Sequence, residues 1–381
     1  MTRLCVLGAT GSVGGAALSV AREYPDCLAA EILAAGSNAK AMHALCMEFR
    51  PRRAVMHSTA AAEELRELLN GEGVEVDGGE EAVRLAAGEC ETVVAGISGA
   101  GGLPPVLEAA RRGRRILLAN KESLVIAGEL LMRTAAQNGA QILPIDSEHA
   151  ALFELLEGGQ GGAQYARLWL TASGGALRDM PLKDLPHATP AQALAHPTWR
   201  MGRKITVDSA TMMNKTLEIL EAAALFGTGA EDIGVVLHPQ SIVHAFVEYA
   251  DGAMSAQLAA PDMRRPVARM LFWPDKTRGF CGKKLDWKTL SSLSFSAPDA
   301  ARYPCLALAK EAQVLGGGAP AALSAANETA VESFLAGNIK FTDIARICAR
   351  ALEKYGSAPG ATLEDVRAAD ESARLWAAAL C

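Results

Sequence analysis

A glycine-rich turn lies between the first apolar run of this chain and its first helix-patterned segment. The turn reads Gly8-Ala9-Thr10-Gly11-Ser12-Val13-Gly14 and follows Leu4–Leu7 directly. Glycines there permit a tight turn, let a pyrophosphate approach backbone N–H groups, and let a helix pack closely on its strand. The same alternation continues through the first 146 residues. Strands are predicted at Glu31–Ala35, Ala54–Met56, Thr92–Ala95, Ile116–Leu118 and Gln141–Ile145. Helix-patterned segments fall between them, at Ala16–Glu23, Ala61–Leu69 and Val125–Gln137. A βαβ rhythm of this kind builds a doubly wound parallel sheet. Residues 1–146 are therefore expected to form an α/β, Rossmann-type dinucleotide-binding domain.

A chain of 381 residues is too long for one ordinary core. Further strands are predicted at Leu168–Thr171, Val235–His238, Ile242–Tyr249 and Ala253–Ala259, around a helix that follows Ser209. They suggest an α+β domain over 147–273. A stretch containing Pro and Lys, 274–298, reads as a linker, and the Ala-rich remainder, 299–381, as a helical domain. Half the residues are hydrophobic, the net charge is -6 and no Lys/Arg-rich block occurs, so nucleic acid is not an expected partner. No uninterrupted apolar run reaches membrane-spanning length. Eight scattered cysteines without a C-x-x-C pair read as reduced thiols. The chain is expected to be soluble and cytoplasmic, with no membrane partner.

Several segments carry chemistry. In Thr206-Val207-Asp208-Ser209 a strand end is expected to pass into a helix start, with Asp208 or Ser209 as the cap. The N-terminus of such a helix attracts anions, and Ser209, Asn214 and Lys215 add donors. Asn214 and Glu218, four residues apart, share a helix face. Asp146 and Glu148 alternate after a predicted strand and, in extended backbone, would point the same way. Two carboxylates on one face repel without a cation between them, and oxygen ligands suit Mg²⁺ or Mn²⁺. Glu218 would be the third ligand; ordinary surface acids are the alternative. Lys121 in Ala119-Asn120-Lys121-Glu122 could polarise a substrate oxygen or merely open a helix. Ser173, before Gly174-Gly175, offers a hydroxyl to a phosphate or simply starts a turn. His238 is either buried and bonded or catalytic. The long segment 173–203 carries His196, Trp199 and Met201 and has the character of a lid. At the end of the second strand stand Gly36, Ser37 and Asn38 with no acid, which favours NADP over NAD.

Taken in order, GATGSVG, LANKESLV, LPIDSEHAALFE, LTASGG, HPTWRMGRKITVDSATMMNKTLEILEA, LHPQSIVHAF and AANETAVESFLAG closely resemble the 1-deoxy-D-xylulose 5-phosphate reductoisomerase family. The resemblance runs nearly end to end. It implies an NADPH-dependent oxidoreductase of isoprene biosynthesis that isomerises and reduces a sugar phosphate, with a catalytic middle domain that makes a homodimer. By resemblance, Asp146, Glu148 and Glu218 hold magnesium or manganese. Ser173, Ser209, Asn214 and Lys215 match substrate contacts. Lys121 and Ser147 match contacts near the metal, and His196, Trp199 and Met201 match a closing flap. His238 matches a site histidine. Thr10, Gly11, Ser12 and Val13 match the pyrophosphate turn, and Gly36, Ser37, Asn38, Asn120 and Glu122 fall among the cofactor contacts. Two departures stand out. Ser37 sits where many members carry Lys or Arg, and the Gly-rich stretch 158–162 reads as a shortened surface loop. A metal-free NADP dehydrogenase and a non-catalytic NADPH sensor are the competing classes.

Overall fold

The computed structural model describes residues 1–156, 165–199, 201–280 and 282–381; the 158–162 stretch lies outside them. The chain divides into two compact units. One comprises Met1–Ser123, Leu131–Ala150 and Asp262–Gly282; the other comprises Leu124–Leu130, Ala151–Pro261 and Lys283–Cys381. Residues 262–282 thus group with the N-terminal unit, although they follow the middle domain in the chain.

The first unit is built on seven parallel strands: β1 (Thr2–Leu7), β2 (Leu28–Ala35), β3 (Arg53–Met56), β4 (Glu75–Gly78), β5 (Thr92–Ala95), β6 (Arg115–Leu118) and β7 (Gln141–Pro144). Their order is β4-β3-β2-β1-β5-β6-β7, so the winding reverses between β1 and β5. Helices cover both faces of such a sheet, so its central strands are apolar throughout; Leu4, Cys5, Val6 and Leu7 are all fully buried. Strand β4 has no counterpart in the sequence reading. Its residues, Glu-Val-Asp-Gly, are too short and too acidic to give an apolar signal. It is tied to its neighbour by Arg53, which reaches Asp77 at 2.5 Å.

The second unit holds a four-stranded sheet ordered β11-β10-β8-β9, from β8 (Tyr165–Ala172), β9 (Ile233–Leu237), β10 (Val243–Tyr249) and β11 (Met254–Leu258). β8 and β9 run parallel, and β10 is antiparallel to both β8 and β11. Inward residues alternate with outward ones, as a half-covered sheet requires. Leu168 and Leu170 of β8 join Ala245 and Val247 of β10 against Ile219 and Ala222 of the helix Met213–Phe226.

Four helices, Ala307–Leu315, Ala319–Ala336, Phe341–Tyr355 and Leu363–Ala378, end the chain. Alanines such as Ala326 and Ala330 let neighbouring helices approach closely, while Phe334 and Phe341 meet edge to face at 5.7 Å. The turn between those two rings is set by Gly337, at φ +83°.

Two local expectations are overturned. Thr206–Ser209 is not a strand end: Arg203–Thr211 is helical, and Ser209 lies in its last turn, not at a cap. The helix breaks at Met212, whose φ of 63° is left-handed, and a new helix starts at Met213. Thr211 bridges the break, its Oγ1 accepting the Met213 N–H at 3.2 Å. The β-branched run at 205–207 looked extended in isolation, but burial of Thr206, Val207 and Asp208 outweighs that propensity. Asp146 and Glu148 are not in extended backbone either, because the helix Ser147–Leu155 begins between them.

Candidate active site, in two halves

In the first unit the glycine turn is closed by contact. Gly8 has φ +77°, and a Cβ there would lie 2.6 Å from the Gly96 carbonyl oxygen. A Cβ on Gly14 would lie 2.3 Å from the Gly8 oxygen, so strand and helix meet at backbone distance. Gly11 ends the turn at the N-cap of Ser12–Glu23, a helix with no side-chain cap and no acid in its first turn. Thr10, Ser12 and Val13 flank that N-terminus, a geometry suited to an anion. It faces the β1/β5 reversal, where doubly wound sheets bind their ligands.

The loop after β5 was not singled out in the sequence. Gly102 in that loop is pressed against Asn120, whose Cγ would lie 2.7 Å from a Cβ at this position. Asn120 Nδ2 donates to Gly99 O and to Glu122 Oε2, both at 3.0 Å, while its Oδ1 accepts the Ser123 N–H. Asn120 and Glu122 therefore brace this loop from the start of the helix Lys121–Asn138. The signal was available: Gly96, Gly99, Gly101 and Gly102 crowd behind a strand. At the end of β2, Gly36, Ser37 and Asn38 are exposed. The Asn38 side chain caps the next helix through the Ala41 N–H at 3.0 Å.

Lys121 is buried and its Nζ lies 2.5 Å from Asp146 Oδ2. Asp146 Oδ1 accepts the Ser147 N–H at 2.9 Å, and Ser147 Oγ donates to Glu148 Oε2 at 2.5 Å. Fully buried His149 brings Nδ1 to 3.8 Å from Asp146 Oδ2. Sequence reasoning passed over His149. The i, i+3 spacing from Asp146 marks it only once the segment is read as a helix start.

The second unit holds the remaining candidates. Asn214, Lys215 and Glu218 share one face of Met213–Phe226. The Glu218 carboxylate, 1% exposed, accepts from Asn214 Nδ2 at 2.5 Å and from Lys215 Nζ. Two donors thus fix the orientation of a buried carboxylate. Ser173 ends β8 in a turn through Gly174 (φ +84°) and Gly175 (φ +72°). A Cβ on Gly175 would lie 2.6 Å from Ser209 O, so the Ser173 turn and the Ser209 turn of helix meet at backbone distance. His238 follows β9, with its N–H bonded to Ala172 O at 2.7 Å. Its Nδ1–H donates to Ser294 O at 2.9 Å and its ring stacks on Phe295 at 4.6 Å. Burial lowers its pKa, so it is neutral, with its lone pair on Nε2.

His196 Nε2 lies 3.0 Å from Ser173 Oγ, while Nδ1 accepts the N–H groups of Thr198 (3.2 Å) and Trp199 (2.9 Å). Trp199 and Met201 are half-buried. Metal-ligand atoms are offered by Asp146 and His149 in the first unit and by Glu218 in the second.

A parallel sheet reversing at a glycine cradle, followed by a second unit rich in anion donors and a buried carboxylate, defines an oxidoreductase of the dinucleotide-binding class. Family models resolve it further. The 1-deoxy-D-xylulose 5-phosphate reductoisomerase model matches residues 4–128, and models of that enzyme's C-terminal domains match 142–226 and 258–376. A protein of that name from Ralstonia pickettii (strain 12J) is 49% identical over 98% of this chain and 96% of its own length. One from Cupriavidus metallidurans is 50% identical over 100% of this chain and 98% of its own. The crystal structure of a DOX-P reductoisomerase in complex with NADPH, fosmidomycin and magnesium superposes with a TM-score of 0.92 at 41% identity. It covers 100% of this chain and 98% of that one. The Zymomonas mobilis enzyme in complex with NADPH gives 0.90 at 40% identity, with the same coverage. The chain belongs to the 1-deoxy-D-xylulose 5-phosphate reductoisomerase family.

Proposed function

We propose that Asp146, Glu148 and Glu218 hold a divalent metal, Mg²⁺ or Mn²⁺, beside a phosphorylated substrate gripped by Ser173, Ser209, Asn214 and Lys215. The activity is the family's: isomerisation and NADPH-dependent reduction of 1-deoxy-D-xylulose 5-phosphate to 2-C-methyl-D-erythritol 4-phosphate in the non-mevalonate isoprenoid pathway. The near-full-length identity to proteins of that name supports it most strongly.

Asp146 and Glu218 offer ligand atoms that fit the metal, and the third such atom found among the described residues is on His149, not Glu148. Carboxylate oxygens are the donors that hard cations take, and Glu218 is oriented by Asn214 and Lys215. Such an ion, when bound, supplies Lewis-acid polarisation of the substrate's carbonyl and adjacent hydroxyl oxygens. Lys121 balances the charge of Asp146 and Ser147 orients Glu148. Asn120 and Glu122 brace the loop after β5 in the cofactor site. Thr10, Gly11, Ser12 and Val13 receive the pyrophosphate, and Gly36, Ser37 and Asn38 the adenosine end. His196, Trp199 and Met201 close over the substrate and exclude water, and His238 backs the Ser173 turn.

Residues 1–146 are assigned to the cofactor, 147–273 to catalysis and dimerisation, 274–298 to the connection and 299–381 to the helical domain. A homodimer is supported by β11, which ends the second sheet among the described residues and exposes Met254 and Leu258. A cytoplasmic location is supported by seven described cysteines, all free. No helix among the described residues is long and apolar enough to cross a membrane. The test is NADPH oxidation with 1-deoxy-D-xylulose 5-phosphate, after chelation and after Mg²⁺ or Mn²⁺ is returned, with the product identified. Turnover without metal would refute the metal assignment.

A further inference from the structure

We propose that two buried residues of the C-terminal part, Tyr303 and Asn327, are positioning residues for the two serines of the phosphate site. The inference rests on the phosphate-binding reading of Ser173 and Ser209. Neither residue touches the substrate in this proposal; each holds a backbone or side chain next to one serine.

Tyr303 is 2% exposed and its hydroxyl donates to Gly174 O at 3.0 Å. Gly174 directly follows Ser173 and occupies left-handed backbone at φ +84°. Two arginines hold neighbouring carbonyls of that turn. Arg178 Nη1 donates to Ser173 O at 3.0 Å, and Arg302 Nη1 to Leu177 O at 3.0 Å. Burial pushes the Tyr303 phenol up to about 12, so the donor proton stays in place across the working range. The Ser173 hydroxyl meets His196 Nε2 at 3.0 Å and accepts the Gly175 N–H at 3.2 Å, and the Tyr303 phenol steadies from behind the Gly174 peptide that links those partners.

Asn327 is fully buried on the helix Ala319–Ala336, and its Nδ2 donates to Asp208 Oδ1 at 2.9 Å. Asp208, itself 1% exposed, precedes Ser209. Its other oxygen takes Lys204 Nζ at 2.9 Å, from one turn back on the same helix. A buried carboxylate needs every such partner. Without Asn327 the Asp208 carboxylate, in the last turn of Arg203–Thr211 that carries Ser209 and ends at the strained Met212, loses its tie to the helix Ala319–Ala336 and keeps the local one to Lys204. Gly175 then transmits the error, because its backbone packs against Ser209 O and Ala210 with no room to spare. Each C-terminal residue therefore holds the chain immediately next to one of the two serines, whose backbones meet at the Gly175–Ala210 junction.

The test uses Tyr303→Phe, which keeps the ring and deletes one O–H, and Asn327→Leu, which keeps the volume. KM for 1-deoxy-D-xylulose 5-phosphate and the competitive inhibition constant of inorganic phosphate should each rise about five- to tenfold, the effect of one lost hydrogen bond. kcat and KM for NADPH should stay within about twofold. A merely structural role would lower the melting temperature and leave the substrate and phosphate constants unchanged; that outcome in Tyr303→Phe, the milder variant, overturns the proposal. Ser173→Ala and Ser209→Ala separate the two levels. If they raise the phosphate constant and Tyr303→Phe does not, the positioning inference alone falls. If they do not raise it, the phosphate reading falls and the inference with it.

Discussion

Ser173 Oγ and His196 Nε2 lie 3.0 Å apart, and the rest of the imidazole settles which atom donates. Nδ1 accepts two backbone N–H groups, from Thr198 and Trp199, so it carries no proton. The ring is neutral with its hydrogen on Nε2, an assignment that rests on the bonding pattern. Burial lowers its pKa below the ordinary 6.5.

A lowered histidine value fixes the sign of a pH effect. Its stabilisation is fully present above the unfolded value and is lost as pH falls through the folded one. Thermal unfolding of the protein and of His196→Leu should therefore differ by about 1 kcal/mol at pH 8, given two backbone donors left without their acceptor. The gap should close as the pH is taken towards 5. A constant gap would show that folding does not shift the His196 pKa, and a gap that widens on acidification would show that folding raises it.

Trp199 is half-buried in the segment that His196 holds by its backbone. If it serves as a lid over substrate, Trp199→Ala leaves the melting temperature nearly unchanged and impairs KM or kcat. A core tryptophan would instead lose about 3–5 kcal/mol of stability on truncation. Calorimetry and steady-state kinetics on the same preparation distinguish the two.

Ser37 is exposed and uncharged at the end of β2. NADPH should still be preferred over NADH, but Ser37→Arg should widen the preference only modestly. An exposed ion pair contributes about 0.2–1 kcal/mol, roughly 1.5- to 5-fold. The ratio of kcat/KM for the two cofactors in both proteins measures this, and an unchanged ratio would place Ser37 away from the 2′-phosphate.

The parallel sheet was legible because its strands are apolar runs separated by helix periodicity, and six of the seven were placed from that alone. β4 escaped because it is short and carries Glu75 and Asp77. The glycine turn was legible because Gly8 and Gly14 meet backbone that no side chain could face. The helix at Arg203–Thr211 was not, since Ile205, Thr206 and Val207 favour strands until tertiary burial decides otherwise. His149 was hidden for a related reason: read as extended chain, the Asp146 segment puts it on no shared face with Asp146. Tyr303 and Asn327 leave no trace at all in a single sequence, because their partners lie more than a hundred residues away.

Removing the charge of Glu218 tests the metal assignment most directly. Glu218→Gln keeps an acceptor for Asn214 but cannot neutralise a cation, and it removes the carboxylate charge that Lys215 Nζ contacts. Turnover with Mg²⁺ or Mn²⁺ should fall more than about a hundredfold, since losing even an outer partner of a metal site costs about 10- to 100-fold. NADPH binding, followed by fluorescence titration, should remain as in the unaltered protein. Near-normal turnover of Glu218→Gln at low Mg²⁺ would contradict the account.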